Sequence, residues 1–198
     1  MRAFLAVHPG DDERSRIAAI QQELKDGLAR AAGQRCRLTW VKPDVIHLTV
    51  KFLGEIEDHL AAPLRDALTH AARDLARIEI PLTRLGAFPR PQAPRVLWIG
   101  ATTEWEQTDD GRRLSDAVRE VQDICARMGV TRDEQHWHPH LTLARVRAGE
   151  GRIGRALAAT GLTARELAGG TLRLDTLMLM KSFMTLDGPV HTGIWSLP

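Results

Sequence analysis

Two stretches of the 198-residue chain carry the same arrangement of reactive side chains: Ile46-His47-Leu48-Thr49-Val50 and Pro139-His140-Leu141-Thr142-Leu143. Each reads His-x-Thr-x, with an aliphatic residue at both x positions. An extended strand sends successive side chains to opposite faces. Each copy therefore offers an imidazole and a hydroxyl on one face and packing groups on the other. Imidazole, with an unperturbed pKa of about 6.5, takes up or gives away a proton near neutrality. Two imidazoles facing one substrate can divide the work, one as general base and the other as general acid. The threonine hydroxyls can donate hydrogen bonds to anionic oxygens. With no carboxylate partner apparent for either histidine and no obvious metal set, phosphoryl-ester chemistry fits better than peptide hydrolysis. A phosphate oxygen is already anionic, so fixed donors and cations can stabilise the charge added in the transition state.

The motifs need elements that hold them face to face, and the flanking sequence predicts matching ones. The apolar run Phe4-Leu5-Ala6-Val7 precedes His47, and Leu97-Trp98-Ile99-Gly100 precedes His140. Phe4 to His47 and Leu97 to His140 are the same 43 positions apart. Each half then reads strand, helix, motif strand, helix, which suggests an internal duplication. Ile17, Ile20, Leu24 and Leu28 predict a first helix behind the acids Asp11, Asp12 and Glu13, with Gly33 as its stop. A second helix is expected from about Glu57 to Ala76, and a third after Thr108 with Leu114, Val118, Val121 and Ile124 on one face. The motif strands are expected from about Ile46 to Leu53 and from about His138 to Val146. Ile78 to Leu85 reads as a strand that Pro81 confines to an edge or bulge. Thr163 to Glu166 has capping-box spacing for a short helix. Two further strands, near Leu172–Met180 and Val190–Trp195, flank a turn at Asp187. Helices alternate with strands, but hairpins also occur. An α+β fold of two lobes is therefore expected in preference to a doubly wound parallel sheet.

Length and composition set limits. The chain has room for one large domain or two small lobes, and a formal net charge of +2 gives no bulk affinity for polyanions. No apolar run approaches the roughly 20 residues of a membrane span, and the first residues are unlike a signal peptide. Cys36 and Cys125 lack metal-type spacing and read as reduced thiols of a cytoplasmic protein.

The segments His47-Leu48-Thr49-Val50-Lys51-Phe52-Leu53-Gly54-Glu55 and His138-Pro139-His140-Leu141-Thr142-Leu143-Ala144-Arg145 resemble the two signatures of the 2H phosphoesterase superfamily. Within it, the chain is most similar to the bacterial and archaeal RNA 2',3'-cyclic phosphodiesterases, also described as 2'-5' RNA ligases. Arg2 to Val7, Trp40 to Pro43 and Arg95 to Gly100 resemble the flanking segments, so the likeness covers nearly the whole chain. The resemblance implies one domain over residues 1–198, with pseudo-twofold halves of roughly 1–90 and 91–198. Antiparallel sheets would line a central cleft, with helices outside. It also implies hydrolysis of 2',3'-cyclic phosphate ends of RNA to 2'-phosphomonoesters, without metal or cofactor, by a cytoplasmic monomer. His47 would be the proton donor and His140 the proton acceptor; the symmetry of the motifs alone cannot assign these roles. Thr49 and Thr142 would hold the phosphate. The family often has a tyrosine near the C-terminus; this chain contains none, and His191 stands near that place. Two other readings stay open on the residues: an RNA-end binding protein without turnover, and a phosphodiesterase acting on a small nucleotide metabolite.

Other candidates are judged by strand parity. Lys51 shares the parity of His47 and Thr49 and is expected in the cleft, unless it is merely a solvated lysine at a strand end. Phe52 can stack on a base, although a core aromatic is the more frequent use. Arg145 has the wrong parity and reaches phosphate only if the strand bulges. Arg90 and Arg95 border a proline-rich loop and can line the cleft. His136, His138 and His140 would share a face as zinc ligands, but that reading leaves His47 and both threonines without a role. His8, His59, His70 and His191 show no partner in the sequence and are expected on the surface or in the core.

Overall fold

A computed structural model of the chain describes residues 1–32, 36–133, 137–185 and 188–198. It opens with strand β1 (Arg2–Val7), whose residues from Ala3 to Val7 are all buried, as befits a strand covered on both faces. Helix α1 (Asp11–Ala32) starts on three acids and buries Ile17, Ile20, Leu24 and Leu28 as their spacing predicts; the expected stop at Gly33 lies outside the described residues. Strand β2 (Arg37–Trp40) leads to a 3₁₀ turn at Pro43–Val45 and then to β3 (Leu48–Glu55). The turn runs up to the start of the expected strand, with the Ile46 N–H bonded to Pro43 O, and β3 begins just past His47.

Helix α2 (Ala61–Leu75) is followed by β4 (Glu79–Pro81) and β5 (Arg84–Phe88), where one strand was expected. Then come β6 (Val96–Gly100), a short helix α3 (Thr103–Glu106) and α4 (Asp109–Arg127). Thr102 and Thr108 cap these two helices by accepting from Trp105 N and Gly111 N, satisfying donors left open in a first turn. The second motif strand is β7 (His140–Ala148), followed by α5 (Glu150–Thr160), β8 (Thr171–Arg173), β9 (Leu177–Thr185) and β10 (Gly188–Leu197). The capping-box segment at Thr163 forms turns rather than a helix, and Asp187 lies outside the described residues. Pro81 ends β4, which pairs only with β8 in a separate two-stranded sheet, where its missing donor disrupts no larger ladder.

The main sheet has eight antiparallel strands among the described residues, in the order β10-β9-β1-β3-β7-β6-β5, with β2 also on β7. The fold is α+β, as the sequence predicts. Two half-sheets meet where β3 and β7 share a single pair, Leu48 with Leu141. They interleave in sequence: β2 precedes the first motif yet pairs with the second, and the C-terminal hairpin β9–β10 returns to β1. Helix α1 packs on α5, and α2 on α4. Their apolar stripes join Leu48, Val50, Leu141 and Leu143 in one core, while Phe4, Ala6 and Met180 form a small separate cluster on the motif face. Among the described residues, no helix is long and apolar enough to cross a membrane.

Both motif strands carry a bulge at the same place. Across β1–β3 the register runs Leu5 with Lys51, then Ala6 with Thr49, leaving Val50 unopposed. Across β6–β7 it runs Leu97 with Ala144, then Trp98 with Thr142, leaving Leu143 unopposed. Ala6 thus corresponds to Trp98, and the equal 43-residue spacing read from the sequence is one residue out of step with the sheet. The bulged Leu143 carbonyl is satisfied by Val41 N at 3.0 Å and by Nε2 of the buried Gln21 at 2.8 Å. Gln21 sits on the core-facing side of α1, where periodicity alone calls for an apolar residue.

Candidate active site

The joint between the half-sheets places the motifs side by side, since Leu48 lies between His47 and Thr49 as Leu141 lies between His140 and Thr142. His47 Nδ1 is 2.8 Å from Val45 O, and His140 Nδ1 is 2.8 Å from His138 O. A carbonyl only accepts, so Nδ1 carries the hydrogen in both rings and Nε2 is left to gain or lose a proton. Aromatic rings pack around each imidazole. Phe4 lies 5.0 Å from His47; Phe88 meets His140 edge-on at 4.9 Å, and the tilted Trp98 ring lies 6.1 Å from His140. The Trp98 indole fits because β5 offers Gly86 beneath it; a Cβ there would fall 2.0 Å from the ring. Neither threonine hydroxyl is hydrogen-bonded to another described residue, so both remain available to a ligand. Trp137 Nε1 donates to Thr49 O at 3.0 Å, tying the approach to the second motif onto the first.

Burial penalises an imidazolium. It is the main reason His47 falls to about 4, reinforced by His8, His191 and Arg145 and opposed by the Val45 carbonyl. Burial likewise lowers His140, against the pull of the His138 carbonyl and with help from His138 and Arg145. Arg145 therefore acts on both imidazoles. The bulge explains how: it advances the alternation by one residue after Thr142, so Arg145 joins the histidine face.

The same shift acts on the first motif and corrects the placement of Lys51. Strict alternation sends Lys51 to the cleft. In the structure it is 1% exposed on the core side, with Nζ 2.8 Å from Thr131 O and 2.9 Å from Asp133. Phe52 takes the cleft position equivalent to Arg145, 62% exposed and 6.2 Å from Phe4. Replacing Asp133 with Ala should leave the Lys51 ammonium buried without its counter-charge and, because Asp133 is itself 39% exposed, cost roughly 1–3 kcal/mol, read by urea unfolding. Unchanged stability with lost turnover would instead put Lys51 at the substrate.

Arg90 and Arg95 are exposed and form no described contact with the motif residues. The zinc reading loses support at His138, whose Nδ1 pairs with Glu106 at 2.7 Å; His136 lies outside the described residues. Among the described residues, the group close enough to hold a metal is His70, Asp74 and Glu120 on α2 and α4, away from the motifs. Cys125 is buried, which raises its thiol to about 11. Two residues of the site, His8 and Glu106, have no local sequence signal, and a third, His191, is marked only by its place near the family's usual tyrosine. His8 and His191 lie 5.8 and 5.6 Å from the His47 ring. Glu106, from α3, reaches His138, for which the first half has Val45.

Residues 8–98 match the family described as LigT like phosphoesterase. The RNA 2',3'-cyclic phosphodiesterase of Aeropyrum pernix is 32% identical over 160 residues, covering 79% of this chain and 84% of that protein. The enzyme of the same name from Methanothermobacter thermautotrophicus is 29% identical over 194 residues, covering 98% and 96%. A solved structure from Thermus thermophilus superposes with a TM-score of 0.63 at 27% identity, covering 100% of this chain and 97% of that one. Escherichia coli LigT complexed with 3'-AMP superposes with a TM-score of 0.63 at 22% identity, covering 99% and 97%, a likeness of fold.

Proposed function

The chain belongs to the LigT-like phosphoesterase family of RNA 2',3'-cyclic phosphodiesterases, and from that premise we propose how its own residues carry the reaction. His140 Nε2 takes a proton from water, whose oxygen attacks the cyclic phosphorus. The bond from phosphorus to the 3'-oxygen breaks, and His47 supplies the proton that this oxygen needs. The product is a 2'-phosphomonoester. Thr49 and Thr142 donate hydrogen bonds to the non-bridging oxygens, and Arg145 stabilises the charge that builds on them. Phe52 offers its exposed ring to the terminal base. With the 5'-hydroxyl of a second RNA in place of water, the same transfers join ends through a 2'-5' linkage, and their reversal cleaves that linkage back to the cyclic phosphate.

The observation that carries this reading is the pair of imidazoles, each with Nδ1 held by a carbonyl two residues earlier, set side by side at one strand joint. The test is incubation with a nucleoside 2',3'-cyclic phosphate, in chelator, followed by product analysis. A 2'-phosphate is expected; a 3'-phosphate would reverse the leaving group, and turnover restored only by added zinc would replace the two-histidine mechanism.

The acidity of the site gives a second expectation. One imidazole must be neutral and the other charged, which makes the profile of kcat/KM against pH bell-shaped. Both pKa values are lowered by burial, so both limbs should lie below the ordinary imidazole value of about 6.5. The rate should then fall about tenfold per unit above the upper limb. A bound phosphate anion favours the cationic forms and should move the kcat profile to higher pH than that of kcat/KM. An optimum of kcat/KM above about pH 8 would contradict this account. The limbs belong to the interacting pair rather than to one residue each.

A further inference from the structure

His47 and His140 are kept as proton carriers because a carbonyl holds the Nδ1 hydrogen of each. Two more histidines at the same site are held differently. His8, just past the end of β1, and His191, on β10, flank His47, with ring centroids 5.8 and 5.6 Å from its own. Their Nδ1 atoms are shielded from solvent and have no hydrogen-bond partner among the described residues. A hydrogen placed on such an atom would be buried without an acceptor, which costs free energy. The favoured neutral tautomer therefore carries its hydrogen on Nε2, which is not among the shielded, unpartnered atoms. Both rings thus present a donor to the solvent side and no acceptor. The charges acting on this corner are cationic: Arg14 on His8, and Arg145 on His47. Arg14 is itself tied to Asp11.

We propose that His8 and His191 form a hydrogen-bond donor pair for a second phosphoryl group of the substrate, the 5'-phosphate of the nucleotide whose cyclic phosphate reacts between His47 and His140. The inference rests on the cyclic phosphodiesterase reading and names what lies next to the reacting group. Two donors flanking one imidazole, where Arg14 and Arg145 add positive potential, suit an anion better than a base edge, which would call for acceptors as well as donors. The separation of each ring from His47 is about the reach of one sugar. In the second half the cross-strand neighbour of His140 is Gly100, and the imidazole that acts on His140, His138, has its Nδ1 engaged by Glu106. The pair therefore also fixes which way round the nucleotide lies in a nearly twofold cleft.

The experiment compares a nucleoside 2',3'-cyclic phosphate with and without a 5'-phosphate. The wild-type protein should prefer the 5'-phosphorylated compound by roughly 10–100-fold in kcat/KM, the worth of a charge-assisted hydrogen bond. His8→Phe and His191→Phe should collapse that ratio, and His8→Gln, which keeps a donor, should restore part of it. No preference in the wild type overturns the proposal. So does an equal loss on both substrates in the variants, which would tie the two rings to His47 alone. A second measurement needs no turnover: on titration with adenosine 5'-monophosphate, the ring resonances of His8 and His191 should shift, and with adenosine they should not. Shifts without hydrolysis of either substrate would uphold the donor pair and remove the catalytic reading; identical responses to both ligands would remove the pair.

Discussion

Replacing His47 or His140 with Ala is expected to lower turnover of a 2',3'-cyclic phosphate by roughly 10²–10⁴-fold, the usual worth of a positioned acid or base. The rings lie on the cleft side of their strands, packed against Phe4 in one half and Phe88 in the other. Their loss should therefore leave the core, and hence the urea midpoint, nearly unchanged. The double replacement should be far less than multiplicatively worse, because groups that act as a unit are not additive. The variants also separate the roles. His47→Ala should lose the falling limb of the pH profile and keep the rising one, and His140→Ala should do the reverse. The opposite pattern would exchange donor and acceptor, and a well-folded single variant with full activity would take that residue out of the reaction.

The second large effect is expected at Arg145. Its replacement by Met keeps a long side chain and removes the cation, and should cost roughly 10²–10³-fold in kcat, the scale seen when a preorganised transition-state donor is deleted. Two further changes should accompany the loss. Both limbs of the pH profile should move to higher pH, because Arg145 lowers both His47 and His140. KM should change less than kcat if the guanidinium meets charge that develops only in the transition state. A variant whose kcat is intact and whose limbs stay in place would show that the bulge has brought Arg145 to the cleft without a task there.

What was legible in the sequence was whatever depends on local period. The stripe of α1 and the two His-x-Thr runs follow from spacing within one element. What was not legible arose where a rule of period broke or where partners lay far apart. The bulges after Thr49 and Thr142 defeat a strict count of two, so parity sent Lys51 to the cleft and Arg145 away from it, the reverse of their places. A one-residue offset between β1 and β6 was hidden by an equal spacing in the sequence. His8 and His191 are brought together only because the last hairpin pairs with the first strand, and no local pattern announces that. Glu106 meets His138 from a helix of four residues, Thr103–Glu106, too short to leave a periodic signal.

The return of the C-terminal hairpin to β1 also sets a schedule. Strand β1 is made well before β9, yet it is flanked by β3 on one side and β9 on the other. While residues 177–197 are still unmade or inside the exit channel, one edge of β1 has no ladder and Phe4 and Ala6 have no Met180 to pack against. Contacts between the first and last parts of a chain are the slowest to form, since the whole intervening loop must close. Catalytic competence should therefore appear abruptly, once β9 and β10 have emerged and paired, rather than growing with chain length. Ribosome-stalled nascent chains ending before Leu177 should keep that edge open to proteolysis.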